Sequence, residues 1–163
     1  MASRRKGRIL AFQALYFWES SSRASRVPVE ELVSFAWLEE EKRAALDEGL
    51  SVFTRTLIAG AIENIFSIDS MIKKHLENWD ISRLNRVDLA LLRISVYTLM
   101  YQSDVPPSIV IDEAIGISKE FGTDDSYRFI NGVLDSIRKT IQTIDTSHVV
   151  QHMQDIRQNT PQD

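Results

Sequence analysis

Cysteine is absent from the 163-residue chain, so it has neither a disulfide framework nor a thiolate metal site. That absence fits a reducing compartment. Glycine (6) and proline (4) are scarce, and strictly alternating polar–apolar runs are missing. Helices are therefore expected nearly throughout. The glycines are scattered and no GxxxxGK[ST] occurs, which removes the phosphate cradle of a nucleotide-dependent enzyme. No GxSxG nucleophile elbow accompanies the many serines. Charges interrupt every apolar run before it reaches a membrane span. The basic stretch Met1 to Arg8 is followed by no clean apolar segment with a small-residue cleavage site. A cytoplasmic, non-enzymatic protein is the expectation, with no cofactor and no metal.

What is present is a core and an uneven charge. Hydrophobic residues make up 44% of the chain, enough for a single buried core. The length fits one domain, or one domain with a tail. Net charge is −4, yet residues 1–26 carry Arg4, Arg5, Lys6, Arg8, Arg23 and Arg26 against Glu19 alone, a local excess of +5. A basic start on an acidic body focuses attraction for an anion on one edge. A merely solubilising basic start explains the same charges equally well.

The periodicity gives an all-α fold. A first helix is expected from about Ser3 to Ser20, with Ile9, Phe12 and Tyr16 on one stripe. Pro28 suits the first turn of a second, lined by Leu32, Phe35 and Leu38. Glu39-Glu40-Glu41 reads as a solvated face, and Gly49 as a break. Ile58, Ile62, Ile65, Ile72, Leu76 and Trp79 step by threes and fours, with Asp69 in the one polar slot and a bend expected near Ser67 to Asp69. Residues 85–102 are apolar nearly all round, the pattern of a central helix. A helix at about Ser108 to Phe121 should end on Gly122. The last one, capped by Asp124, Asp125 or Ser126, carries Ile130, Val133, Leu134, Ile137 and Ile141. From Thr143 the chain turns polar, so residues 1–142 read as the domain and 143–163 as a weakly ordered tail.

Few groups invite catalysis. His148 and His152 stand four apart, a spacing that suits a metal, but no third ligand is evident and both lie in the polar tail. His75 sits among Lys73, Lys74 and Glu77, a surface setting. Asp124-Asp125 and Asp112-Glu113 read as helix caps and first-turn charges, since acid–base work needs a pocket and shifted pKa values. The basic start remains the best candidate. On a helix, Arg4, Arg5 and Arg8 splay over phosphates and Lys6 adds a point charge. Tyr16, Phe17 and Trp18 then offer faces for unpaired bases. A core role weighs more than stacking for Tyr16, and Phe17 and Trp18 stay open.

The opening Arg4-Arg5-Lys6 through Gln13-Ala14-Leu15-Tyr16 resembles the arginine-rich start and QALY segment of the NusB family. The likeness continues through Asn78-Trp79, Arg83, Val87-Asp88, Leu92-Arg93-Ile94, Tyr97 and Ser103-Asp104-Val105-Pro106. Then come Ile111 to Ile115, Ser118-Lys119, Phe121-Gly122, Asp125-Ser126, Phe129 and Asn131 to Asp135, in family order from about residue 3 to 141. The resemblance implies a compact bundle of about six to seven helices in two packed helical subdomains. It implies a transcription antitermination factor that binds single-stranded box A RNA of ribosomal-operon leader transcripts. NusE, a small-ribosomal-subunit protein, would bind with it, and RNA polymerase and other Nus factors would complete the assembly. Some relatives pair into homodimers.

Residue by residue, the resemblance gives Arg4, Arg5, Lys6, Arg8, Tyr16, Asp125 and Phe129 to RNA, and Asp88, Arg93 and Tyr97 to NusE. Capping for Asp125, the core for Phe129 and an exposed first-turn charge for Asp88 are the plainer alternatives. Asp112 stands where the family often has asparagine, and Lys6 where arginine is common. A helical protein-interaction module without RNA function is the competing reading. An RNA methyltransferase with a NusB-like leading domain ranks last, for want of room for a catalytic domain.

Overall fold

A computed structural model of the chain describes residues 2–21, 25–77 and 80–158. Arg23, Asn78, Trp79 and the last five positions, on which the sequence reading drew, lie outside the described residues. Within these bounds the order is α1 (Ala2–Ser20), α2 (Val29–Val33), α3 (Glu40–Ala44), α4 (Glu48–Glu63), α5 (Ile65–Lys74), α6 (Arg86–Tyr101), α7 (Pro107–Phe121) and α8 (Ser126–Gln158). One 3-10 turn, Ile81–Arg83, precedes α6, and no strand occurs among the described residues.

The caps account for several boundaries. Asp47 accepts from the Leu50 N–H at 2.7 Å and starts α4, so Gly49 lies inside that helix and the break falls just before it. Asn85 accepts from the Val87 N–H at 2.8 Å and starts α6. Pro107 opens α7, where its missing N–H costs nothing. The long apolar stripe of residues 58–76 breaks at Asn64, three residues before the expected bend, and the Asn64 side chain donates to the Gly60 carbonyl at 2.8 Å. Gly122 does end α7, but with extended backbone (φ −92°) instead of a left-handed cap. A Cβ there would meet the Ser118 carbonyl and the Ser126 side chain at 2.7 Å, so close approach, not handedness, calls for glycine.

α6 is the centre. Every residue from Asp88 to Leu99 is buried, because α1, α4, α5, α7 and α8 all pack against this one helix. One continuous apolar cluster therefore joins α1, α2, α4 and α5 on one side with α7 and α8 on the other. Truncating a fully enclosed member such as Leu92 to alanine costs about 2–5 kcal/mol. α8 does not stop where the sequence turns polar. It continues to Gln158, and residues 142–158 are exposed.

Candidate nucleic-acid interface

The basic start of α1 divides in two. Arg4 and Lys6 are exposed and Arg5 is half-buried. The Arg5 guanidinium pairs with Glu120 of α7 at 2.9 Å, with both side chains still substantially in solvent. Arg8 is different: it is 8% exposed, 3.8 Å from Glu113, and lies 5.6 Å from the centre of the Phe53 ring. The ring sits there because Gly7 has no Cβ; one would come within 2.5 Å of Phe53. Desolvation pulls the Arg8 pKa down, against the carboxylate of Glu113. Arg8 thus fastens α1 to α4 and α7, and the cations presented to solvent are Arg4, Arg5 and Lys6. The helical period explains the split: position 8 falls on the same side as buried Ala11, Phe12 and Leu15.

The aromatics sort differently from expectation. Tyr16 is 41% exposed, not a core residue, and Phe17 is exposed beside it. Trp18 is buried under the Arg26 guanidinium, 4.0 Å from the ring centre.

Asp125 and Phe129 come together at a cavity of about 350 Å³ between the start of α6 and the α7–α8 turn. Asp125 is exposed, and Phe129 is half-buried with its inner side on the core. Arg83, Asn85, Thr123 and Asp88 complete the wall. The Thr123 N–H donates to the Ser126 hydroxyl at 2.9 Å, which shapes the turn. Phe121, the residue next to this turn, meets Phe12 of α1 edge to face at 5.2 Å, and Glu120 holds Arg5. The cationic start of α1 and the cavity therefore adjoin through the end of α7.

The three residues expected to face a partner protein are not on the surface. Asp88, Arg93 and Tyr97 are 7%, 5% and 8% exposed, because α6 is covered on all sides. Arg93 forms a bidentate fork on Asp69 of α5 (2.9 and 2.9 Å) and a third bond to Glu19 of α1 (2.9 Å). Burial alone would lower its pKa, but the hydrogen bonds and charges of Asp69 and Glu19 win and raise it. Tyr97 packs where Gly60 leaves room; a Cβ at 60 would be 2.3 Å from its ring. Asp88 has one carboxylate oxygen, Oδ1, buried without a hydrogen-bond partner. Its pKa is pushed up by desolvation, against a hydrogen bond from Ser126.

The sequence reading passed over Phe53, Glu120 and Thr123, and took Glu113 for a first-turn charge. Glu113 and Glu120, seven residues apart on α7, were a usable sign, since residues two helical turns apart share one face. His75, read as a surface residue, bonds Thr140 of α8 at 2.8 Å. Desolvation, then the charge of Lys74, lowers its pKa. No cluster of three or more metal-ligating side chains exists among the described residues, and no described helix is long and apolar enough to cross a membrane.

Fold and surface together define an all-helical protein with a cationic and aromatic face suited to an anionic strand. The comparisons narrow this class. The sequence profile of the NusB family matches residues 5–139. The transcription antitermination protein NusB of Treponema denticola is 51% identical over 135 residues, covering 83% of this chain and 95% of that one. The NusB structure from T. maritima superposes with a TM-score of 0.73 at 37% identity, covering 83% of this chain and 90% of the other. A solved complex of antitermination factors NusB and NusE with double-stranded RNA matches with a TM-score of 0.71 at 29% identity, over 86% and 98% of the two chains. The chain belongs to the NusB family.

Proposed function

We propose that this protein is a non-enzymatic antitermination adaptor. It binds single-stranded box A RNA of ribosomal-operon leader transcripts, acts together with NusE, and joins the RNA polymerase elongation complex with other Nus factors in the cytoplasm. The observation that carries the reading is the Arg5–Glu120 pair, which ties the cationic start of α1 to the end of α7, three residues before Thr123 in the wall of the Phe129–Asp125 cavity. Cations neutralise phosphates without regard to sequence, whereas an aromatic wall and carboxylate acceptors engage bases. A family relative solved with NusE and double-stranded RNA supports NusE and RNA as the two classes of partner.

The strand track proposed is Arg4, Arg5 and Lys6 for phosphates, Tyr16 for stacking, and Asp125 with Phe129 for a base. Arg8 enters as the residue that holds α1 in place beneath them. The NusE contact lies outside the Asp88–Arg93–Tyr97 set, whose side chains are enclosed. A binding titration tests the reading: box A RNA with NusE should bind more tightly than a scrambled strand. Equal affinity for the two strands, with and without NusE, refutes it.

A further inference from the structure

We propose that the exposed end of α8 carries half of a zinc-type metal site, His148 and His152, and that a second copy of this chain, lying antiparallel, supplies the other half. The inference is independent of the RNA-binding reading.

A spacing of four means nothing in an irregular tail, but α8 runs unbroken to Gln158, so His148 and His152 stand one turn apart on one face. That face is the one buried further up the helix. Ile130, Leu134, Ile137 and Ile141 pack into the core in steps of three and four. The same steps carried on reach Asp145, His148, His152 and Asp155, all exposed, with exposed Val149 and Met153 beside them. Thr143, Ser147, Gln154 and Gln158 fill the opposite face. Imidazoles four apart on a helix chelate a cation of borderline softness, and zinc takes four such ligands tetrahedrally. No group of three or more ligating side chains occurs among the described residues, so one chain makes half a site.

The pattern that completes the site is a palindrome. Asp145-x2-His148-x3-His152-x2-Asp155 reads the same in both directions. An antiparallel two-fold axis at position 150 therefore sets each copy's His148 beside the partner's His152 and gathers four imidazoles round one point. Such a two-fold interface is self-complementary. Each aspartate lies three residues outward of its histidine on the same face, where a carboxylate takes the second ring N–H of a metal-bound imidazole. The Gln151 amide donates to Asp155 Oδ1 at 3.1 Å and holds that carboxylate in place. Without a cation the same pairing brings four carboxylates together and is repelled. A divalent ion offsets them, so the association depends on the metal.

The test uses the untagged full chain, stripped of metal with a chelator and free of RNA. Light scattering on a sizing column gives the mass, and calorimetric titration with zinc chloride gives the stoichiometry. Zinc should convert monomer to dimer at one ion per two chains, and chelator should reverse the change. Cobalt(II) in place of zinc should show the intense visible bands of a tetrahedral site. His148→Ala and His152→Ala should each abolish the zinc-dependent dimer. Asp145→Asn should weaken zinc binding about ten- to a hundredfold, the range for a lost outer-shell partner. All three positions are exposed, so the helical circular-dichroism signal should be unchanged in the variants. A chain that stays monomeric with zinc, a dimer that forms equally with chelator present, or zinc-driven association beyond a dimer would overturn the proposal. Zinc-dependent dimers that survive both histidine substitutions would overturn it as well.

Discussion

Replacing Arg93 by methionine separates a structural staple from a surface contact. The guanidinium joins three helices through bonds of 2.9 Å to Asp69 and Glu19, and it is 5% exposed. Methionine keeps much of the volume but strands the Asp69 carboxylate in a partly desolvated site and leaves Glu19 only its 3.2 Å pair with Arg26. Removing one partner of a buried pair costs about 3–5 kcal/mol. For a domain of this size each kcal/mol lowers Tm by about 2–4 °C, so the melting point should fall by ~6–20 °C. Arg93→Lys should recover only part of the loss, because an ammonium cannot form the bidentate fork. Thermal melts by circular dichroism, with urea titrations for the free energy, provide the measurement. A fall in Tm of less than about 2 °C, together with a lost protein contact, would refute the staple and restore Arg93 to an interface.

Asp88→Asn should raise Tm at neutral pH. The folded-state pKa of Asp88 is raised, so its contribution to stability is present below the unfolded value, about 3.9, and is lost as pH rises through the folded value. The advantage of the variant should therefore shrink as the melts are taken into acid; a constant advantage contradicts the burial argument. Arg8→Ala should lower stability by about 1–3 kcal/mol in urea titrations, since it removes the 3.8 Å ion pair from Glu113 Oε2, a buried oxygen with no hydrogen bond of its own, together with the packing on Phe53. Arg4→Ala should change stability by no more than about 0.5 kcal/mol. Equal effects of the two would show that the division of the basic start into buried and exposed members is mistaken.

Much of this was legible in the sequence because helices announce themselves by period. The stripes of α4, α5 and α8 named their buried faces, the all-round apolar run of α6 marked the centre, and the polar turn before Ser126 marked a start. The polar slot at Asp69 was visible too, but its meaning required a partner twenty-four residues away, and spacing says nothing about which helices meet. The same limit hid the burial of Arg8. A run of four cations within five residues looks uniform in sequence, whereas a helix turns one of them inward. Tyr16 went the other way: an aromatic on an apolar stripe looks like core, yet it is 41% exposed. α8 outran its apolar stripe because helical backbone needs no buried face to continue, and the resemblance to the family ends before that extension begins. The cavity at Asp88 was invisible for a different reason: it is made by a helix start and a turn that lie far apart in the chain.

The salt dependence of RNA affinity tests the central claim most directly. Three cations, Arg4 and Lys6 exposed and Arg5 half-buried, that each neutralise one phosphate of a single strand predict a slope of log K against log salt of about −2. Replacing Arg4, Arg5 and Lys6 together by alanine should bring that slope close to zero, with the melting curve nearly unchanged. An unmodified chain whose affinity is indifferent to salt, or a triple variant that keeps the full slope, would place the strand elsewhere on the molecule.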